Sequence, residues 1–144
     1  MGLVAPLEEL AAELRVSVSI EPVGDEANGY YAPARRAIVI DGDLAGNGRV
    51  ATLIHELAHV LVERDRRDED PALSYAEEEL VVESIAYTVT GAAGLDVGGF
   101  SVPYLASWAE ETPLETIERT ARLIDRLARR IEDAIDSEPE REER

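Results

Sequence analysis

The chain has 144 residues, 45% of them hydrophobic, the size and make-up of one domain with one core. Its formal net charge of -17 argues against a nucleic-acid partner, because phosphate binding needs Lys and Arg facing the backbone. There is no cysteine, which excludes disulfides and Cys-based metal sites, and no apolar run approaches the ~20 residues of a membrane span.

The N-terminus runs from Met1 through Pro6 into Glu8, Glu9 and Glu13. It lacks the basic start and long apolar stretch of a signal peptide, so a cytoplasmic location is expected. Residues 6–15 read as a short helix: proline suits a first turn, and Leu7, Leu10, Ala11 and Leu14 recur at helical spacing. Residues 16–20 alternate apolar with serine, the pattern of a half-buried strand. Residues 24–29 carry turn residues. Tyr30 and Tyr31 begin a second strand that Pro33 interrupts. Residues 37–40 form a third strand, short and continuously apolar. A loop follows over 41–48, with Asn47 as the expected N-cap of a helix over 50–64. That helix buries Leu53, Leu57, Val60, Leu61 and Arg64.

The polar stretch 65–71 reads as solvated surface. Ser74 with Glu77 three residues on is a capping box. It opens a helix to about Thr90 with Val81, Ile85 and Val89 stacked on one face, ended by Gly91 and Gly94. Residues 96–99 form a turn, and 103–108 one or two helical turns. A second capping box, Thr112 to Glu115 with Pro113 at the first helical position, starts a last helix to about Ile135. That helix is expected to bury Ile117, Ala121, Ile124, Ala128 and Ile131. The order of elements indicates an α+β fold. One domain is expected over 1–136, with 137–144 a charged, disordered tail.

Chemistry enters with His55-Glu56-Leu57-Ala58-His59, an HExxH motif within the predicted helix. Four residues advance a helix by ~6 Å and ~40°, so both imidazoles leave one face. Their nitrogens can converge on one Zn²⁺ at ~2.0–2.1 Å. Glu56 sits one position off that face, placed to take a proton from water and not to ligate. A stray motif is the bland alternative. Against it, the chain has 2 histidines, both in the motif, and the other face of the helix is apolar, so the histidines point towards a site and not into the core.

Catalytic zinc needs a third protein ligand. With neither Cys nor a third His, it must be Asp or Glu. Glu79 and Glu83 lie four residues apart on the next helix, opposite the Val81–Ile85–Val89 stripe. One can bind the metal while the other orients a ligand histidine. Glu79 is taken as the ligand and Glu83 as the outer partner, with the reverse assignment left open. Glu77 and Glu78 read as first-turn surface charges favoured by the helix dipole. Tyr31, Tyr87 and Tyr104 are candidates for contacting substrate or an oxyanion, although packed aromatics are the commoner use of such residues. Trp108 is expected in the core.

The segments 29–31, 37–41, 52–59 and 79–86 together resemble the ImmA/IrrE family of metallopeptidases. The segment 94–96 and 101–108, with its Tyr104-Leu105-Ala106-Ser107-Trp108 run, looks closer to the metallopeptidase domain of ArdC-like antirestriction proteins. The resemblance covers most of 16–135. It implies a zincin-like fold, with the motif helix and the glutamate helix flanking the metal beneath a small sheet. It also implies a gluzincin pattern, in which the ligand glutamate is followed four residues later by an acidic or amide residue. A zinc metallopeptidase is implied, with a protein or peptide substrate such as a helix-turn-helix transcriptional repressor. ArdC-like proteins carry a separate N-terminal single-stranded-DNA-binding domain; here the zincin elements begin by about residue 16, so no DNA-directed role is expected. An extended substrate is expected to pair with a sheet edge at 37–41 or at Tyr30-Tyr31. The rival reading is a non-catalytic protein, either a metal-binding module or an acidic mimic of DNA.

Overall fold

The computed structural model describes residues 3–23, 28–44, 46–94 and 102–141, the last stretch with side chains at 105–136. Its elements are α1 (Val4–Glu13), β1 (Ser17–Glu21), β2 (Gly29–Ala32), β3 (Ala37–Asp41), α2 (Gly46–Arg64), α3 (Tyr75–Ala92), α4 (Val102–Glu110) and α5 (Leu114–Arg141). The fold is α+β. The turn expected at 96–99 and most of the loop expected at 24–29 lie outside the described residues.

The strands order as β1-β3-β2, with β1 parallel and β2 antiparallel to β3. Ile38, Val39 and Ile40 are each at most 3% exposed, so both faces of β3 are covered, as a continuous apolar run requires. This corrects the expected substrate edge at 37–41: β3 is paired on both sides, and β2 is an edge. Pro33 ends β2 and opens a single 3-10 turn over Pro33–Arg35, because it cannot donate to a ladder.

Helix α2 starts at Gly46, so Asn47 lies in its first turn and not at the cap. Arg49 folds back to donate to the carbonyls of Leu44 (3.0 Å) and Gly42 (2.9 Å), tying the preceding loop to this early start. Thereafter Leu53, Ile54, Leu57, Ala58, Val60 and Leu61 are buried. Apolar neighbours surround α2 between the sheet, α1, α3 and α5, except along the stripe that carries the histidines.

Helix α3 begins at its capping box as read from the sequence. The Glu77 amide donates to Ser74 Oγ (3.1 Å), and the Ser74 amide donates to Glu77 Oε1 (3.0 Å). Gly91 is inside the helix; the left-handed residue beyond its end is Gly94, at φ +81°, a backbone conformation that strains any residue bearing a Cβ. Leu80, Val81, Val82, Ile85 and Val89 face the core.

Helix α5 buries a stripe rotated from the expected one. Thr120, Leu123, Leu127, Ala128 and Ile131 are inside, while Ala121 is exposed and Ile117 and Ile124 only half-buried. The larger leucines remove more apolar area from water than Ala121 can. Helix α5 extends to Arg141 and so takes in part of the segment expected as a tail. The Thr112 hydroxyl, expected to cap it, donates back to the Trp108 carbonyl at the end of α4.

The charge run at 65–70 is not all solvated surface. Asp70 is 9% exposed. Its carboxylate takes a two-pronged bond from Arg126 of α5 at 3.0 and 2.9 Å, and Arg126 also donates to the Asp65 carbonyl at 2.7 Å. The guanidinium beside Asp70 holds its carboxyl below the usual range.

Candidate metal centre

Helix α2 delivers His55 and His59 to one stripe, their ring centroids 5.2 Å apart, as spacing of four on a helix demands. Helix α3 packs alongside and delivers two adjacent glutamates, Glu78 from its first turn and Glu79 just beyond it. Glu79 Oε2 lies 3.4 Å from His59 Nε2, and Glu78 Oε2 lies 3.0 Å from His59 Nδ1. One ligand-capable atom each from His55, His59 and Glu79 falls within 4.8 Å of the others.

This donor set fits a divalent ion. A carboxylate can only accept, so the Glu78 bond requires the proton of a neutral His59 to sit on Nδ1, leaving Nε2 as a lone pair. In that tautomer two acceptors, Nε2 and Glu79 Oε2, face each other across 3.4 Å, a spacing that a shared cation between them would turn from repulsive to attractive. Ligands of a tetrahedral ion with bonds of ~2.0–2.1 Å stand ~3.3–3.4 Å apart. Burial, and then the neighbouring His59, lower the His55 pKa to about 4, so the His55 ring is neutral at pH 7 and offers a lone pair.

Glu56 is 7% exposed. Burial raises its pKa to about 7; His59 opposes this and the carboxylate of Glu79 adds to it. It is a carboxyl group that gains and loses a proton near neutrality, beside the two histidines.

The site opens into a cleft of about 660 Å³ whose walls are β2 with Pro33, the end of α2 and the start of α3. Tyr31 lines it, with its hydroxyl donated to Glu63; burial and that bond raise the phenol's pKa. Tyr30, Arg66, Leu73 and Tyr75 also line it. Tyr87, on α3, is 56% exposed and outside the cleft lining. The side chain of Tyr104 lies outside the described residues.

Glu83 is exposed, and its side chain makes no hydrogen bond or ion pair among the described residues. The partner of the histidine is Glu78, read from the sequence as surface charge. One turn beyond Glu79, Glu83 has moved ~6 Å along α3 and ~40° around it, onto the solvent side. The available signal was the adjacency of Glu78 and Glu79: neighbours ~100° apart on a helix can bracket the two nitrogens of one imidazole. Trp108 is half-buried and not in the core. Its indole N–H donates to Glu77 Oε2 at 3.0 Å; the Ser74 amide first, and then this indole, hold the Glu77 carboxyl below its usual range.

No family model matches the chain, and no curated protein sequence does. Two solved structures of the antirestriction protein ArdC from plasmid R388 share its fold. The Mn(II)-bound structure superposes with a TM-score of 0.66 at 23% identity, over 92% of this chain and 52% of that one. The metal-free structure gives 0.63 at 22% identity, over 91% and 50%. The chain thus spans about half the length of ArdC. At this identity the likeness is one of fold. It agrees with the ArdC-like resemblance read from the sequence and carries nothing specific to the ImmA/IrrE peptidases.

Proposed function

We propose that this chain is a metal-dependent hydrolase of peptide bonds, with Zn²⁺ held by His55, His59 and Glu79. The observation that supports it is the convergence of three ligand atoms within 4.8 Å beside a buried carboxyl, Glu56. A bound ion would polarise a carbonyl and acidify water. Glu56 accepts the proton of the attacking water and delivers it to the amine nitrogen as the C–N bond breaks. A proton affinity near neutrality suits it to both halves of that transfer. Glu78 keeps the His59 proton on Nδ1, so the other nitrogen is free to ligate. An extended substrate pairs with the edge of β2, which borders the cleft. A transcriptional regulator as substrate rests on the sequence resemblance alone. His₂Glu suits Zn²⁺; the Mn(II) of the ArdC structure makes Mn²⁺ the competing ion.

A second reading is favoured by the fold neighbours, which are antirestriction proteins, and by the acidic excess of the chain: a metal-binding protein of antirestriction type that does not hydrolyse. Glu56→Gln separates the two. On the hydrolase reading it keeps one equivalent of Zn²⁺ and loses cleavage of a co-expressed helix-turn-helix regulator by about 10²–10⁴-fold. If Glu56→Gln keeps the full cellular effect, including protection of unmodified DNA from restriction, the hydrolase reading is lost and the second stands.

A further inference from the structure

Three consecutive glutamates, Glu77 to Glu79, stand near the start of α3, and each has a different task. Glu79 faces His59 Nε2 and Glu78 faces His59 Nδ1. Glu77 points the other way. Its Oε1 closes the capping box with Ser74, and its Oε2 accepts the indole N–H of Trp108 at 3.0 Å. The start of α3 therefore carries both carboxylates of the metal centre on one side and is tied to the end of α4 on the other. The Trp108 carbonyl in turn accepts the Glu111 amide and the Thr112 hydroxyl, so the indole is mounted on the turn that leads into α5. Helix α5 is anchored in the core by Leu123, Leu127 and Ile131.

We propose that Trp108 is a positioning residue for the metal centre. Through Glu77 it fixes the rotation of the start of α3, and so the aim of Glu78 and Glu79 at His59. The chemistry favours this over a simple packing role. A neutral indole donor on a carboxylate gives a directional bond, and the ~100° between successive helical residues converts a small roll at Glu77 into a shift of both neighbouring carboxylates. The coupling is reciprocal: an ion drawing Glu79 towards the histidines loads the Trp108–Glu77 bond. The inference rests on the metal-site reading above, though not on catalysis.

The chain has a single Trp, so its own fluorescence reads the coupling. Zn²⁺ is titrated into the chelator-stripped full chain, followed in parallel by calorimetry and by indole emission. The emission is expected to change and to saturate with the calorimetric site. Trp108→Phe, which keeps a ring and drops the donor, is expected to weaken Zn²⁺ binding about ten-fold, the lower end of losses for groups that orient ligands. Glu77→Gln, which retains an oxygen for Ser74, is expected to match it, and the double variant to lose no more than either single one. Emission that stays flat through saturation, or Glu77→Gln and Trp108→Phe proteins that bind Zn²⁺ as tightly as the parent, overturns the proposal and leaves the metal centre standing. A parent chain that binds no Zn²⁺ or Mn²⁺ overturns both.

Discussion

Gly29 has no room for a side chain. A Cβ there would lie 2.6 Å from the Val39 carbonyl oxygen and 2.8 Å from Thr52 Cγ2. The first of these is backbone of the central strand; the second belongs to the helix that carries His55 and Glu56 one turn on. The bare α-carbon is what lets β2 lie against α2 and form a wall of the metal cleft. Gly29→Ala is expected to cost about 1–3 kcal/mol, the usual range for overpacking, read as a lower denaturant midpoint. Zn²⁺ affinity should fall with it, because the strand and the metal helix are pushed apart together. A Gly29→Ala protein as stable as the parent would show that the close approach is not tight. At the same scale, the motif histidines were legible from their spacing alone, since helical pitch places them without any tertiary information.

At the scale of elements, the connection between α2 and α3 is pinned by Arg126 of α5. Asp70 is 2% exposed at its side chain and Arg126 20%. Among the described residues Arg126 Nε is buried without a hydrogen-bond partner, 3.8 Å from the Asp65 carboxylate, so the clamp is completed on its other two nitrogens. The folded-state pKa of Asp70 is lowered, chiefly by its bond from Arg126. Its contribution is therefore fully present above the unfolded carboxyl value and is lost as pH falls through the lower folded value. Asp70→Asn is expected to lose about 3 kcal/mol at pH 7, since it leaves a largely buried guanidinium with only the more distant carboxylate of Asp65 as counter-charge. The gap from the parent should close as pH falls below about 4, measured by urea unfolding across pH. A gap that stays constant with pH would mean that charge plays no part. The stretch 65–71 showed acids and arginines in sequence, but which of them is inside depended on a residue 56 positions away, beyond any local pattern.

For the whole molecule, 31 acidic residues stand against 14 basic ones. Such an excess destabilises the compact state by self-repulsion, which salt screens over a Debye length of ~10 Å at 0.1 M and ~3 Å at 1 M. The partly buried Asp70–Arg126 pair is screened less than the open surface. The thermal midpoint is therefore expected to rise by several degrees between low salt and 1 M KCl, measured by circular dichroism. A midpoint that falls would mean that exposed ion pairs outweigh the net repulsion.

Local pattern was sufficient for the strands, the helical segments, the capping box at Ser74 and the shared face of His55 and His59, because each follows from backbone periodicity or from contacts a few residues apart. It led to Glu79, which the structure sets beside His55 and His59, but it took Glu83 and not Glu78 for the histidine's partner, and the Ala121 stripe of α5 in place of the leucine stripe. Those choices depend on how far a helix is rolled about its own axis. The roll is set by interlocking with its neighbours, and a run such as Leu80-Val81-Val82 offers apolar side chains on more than one side. Only the packed structure resolved that roll, and with it turned Glu78 towards the histidine, left Glu83 in solvent and brought Trp108 to Glu77.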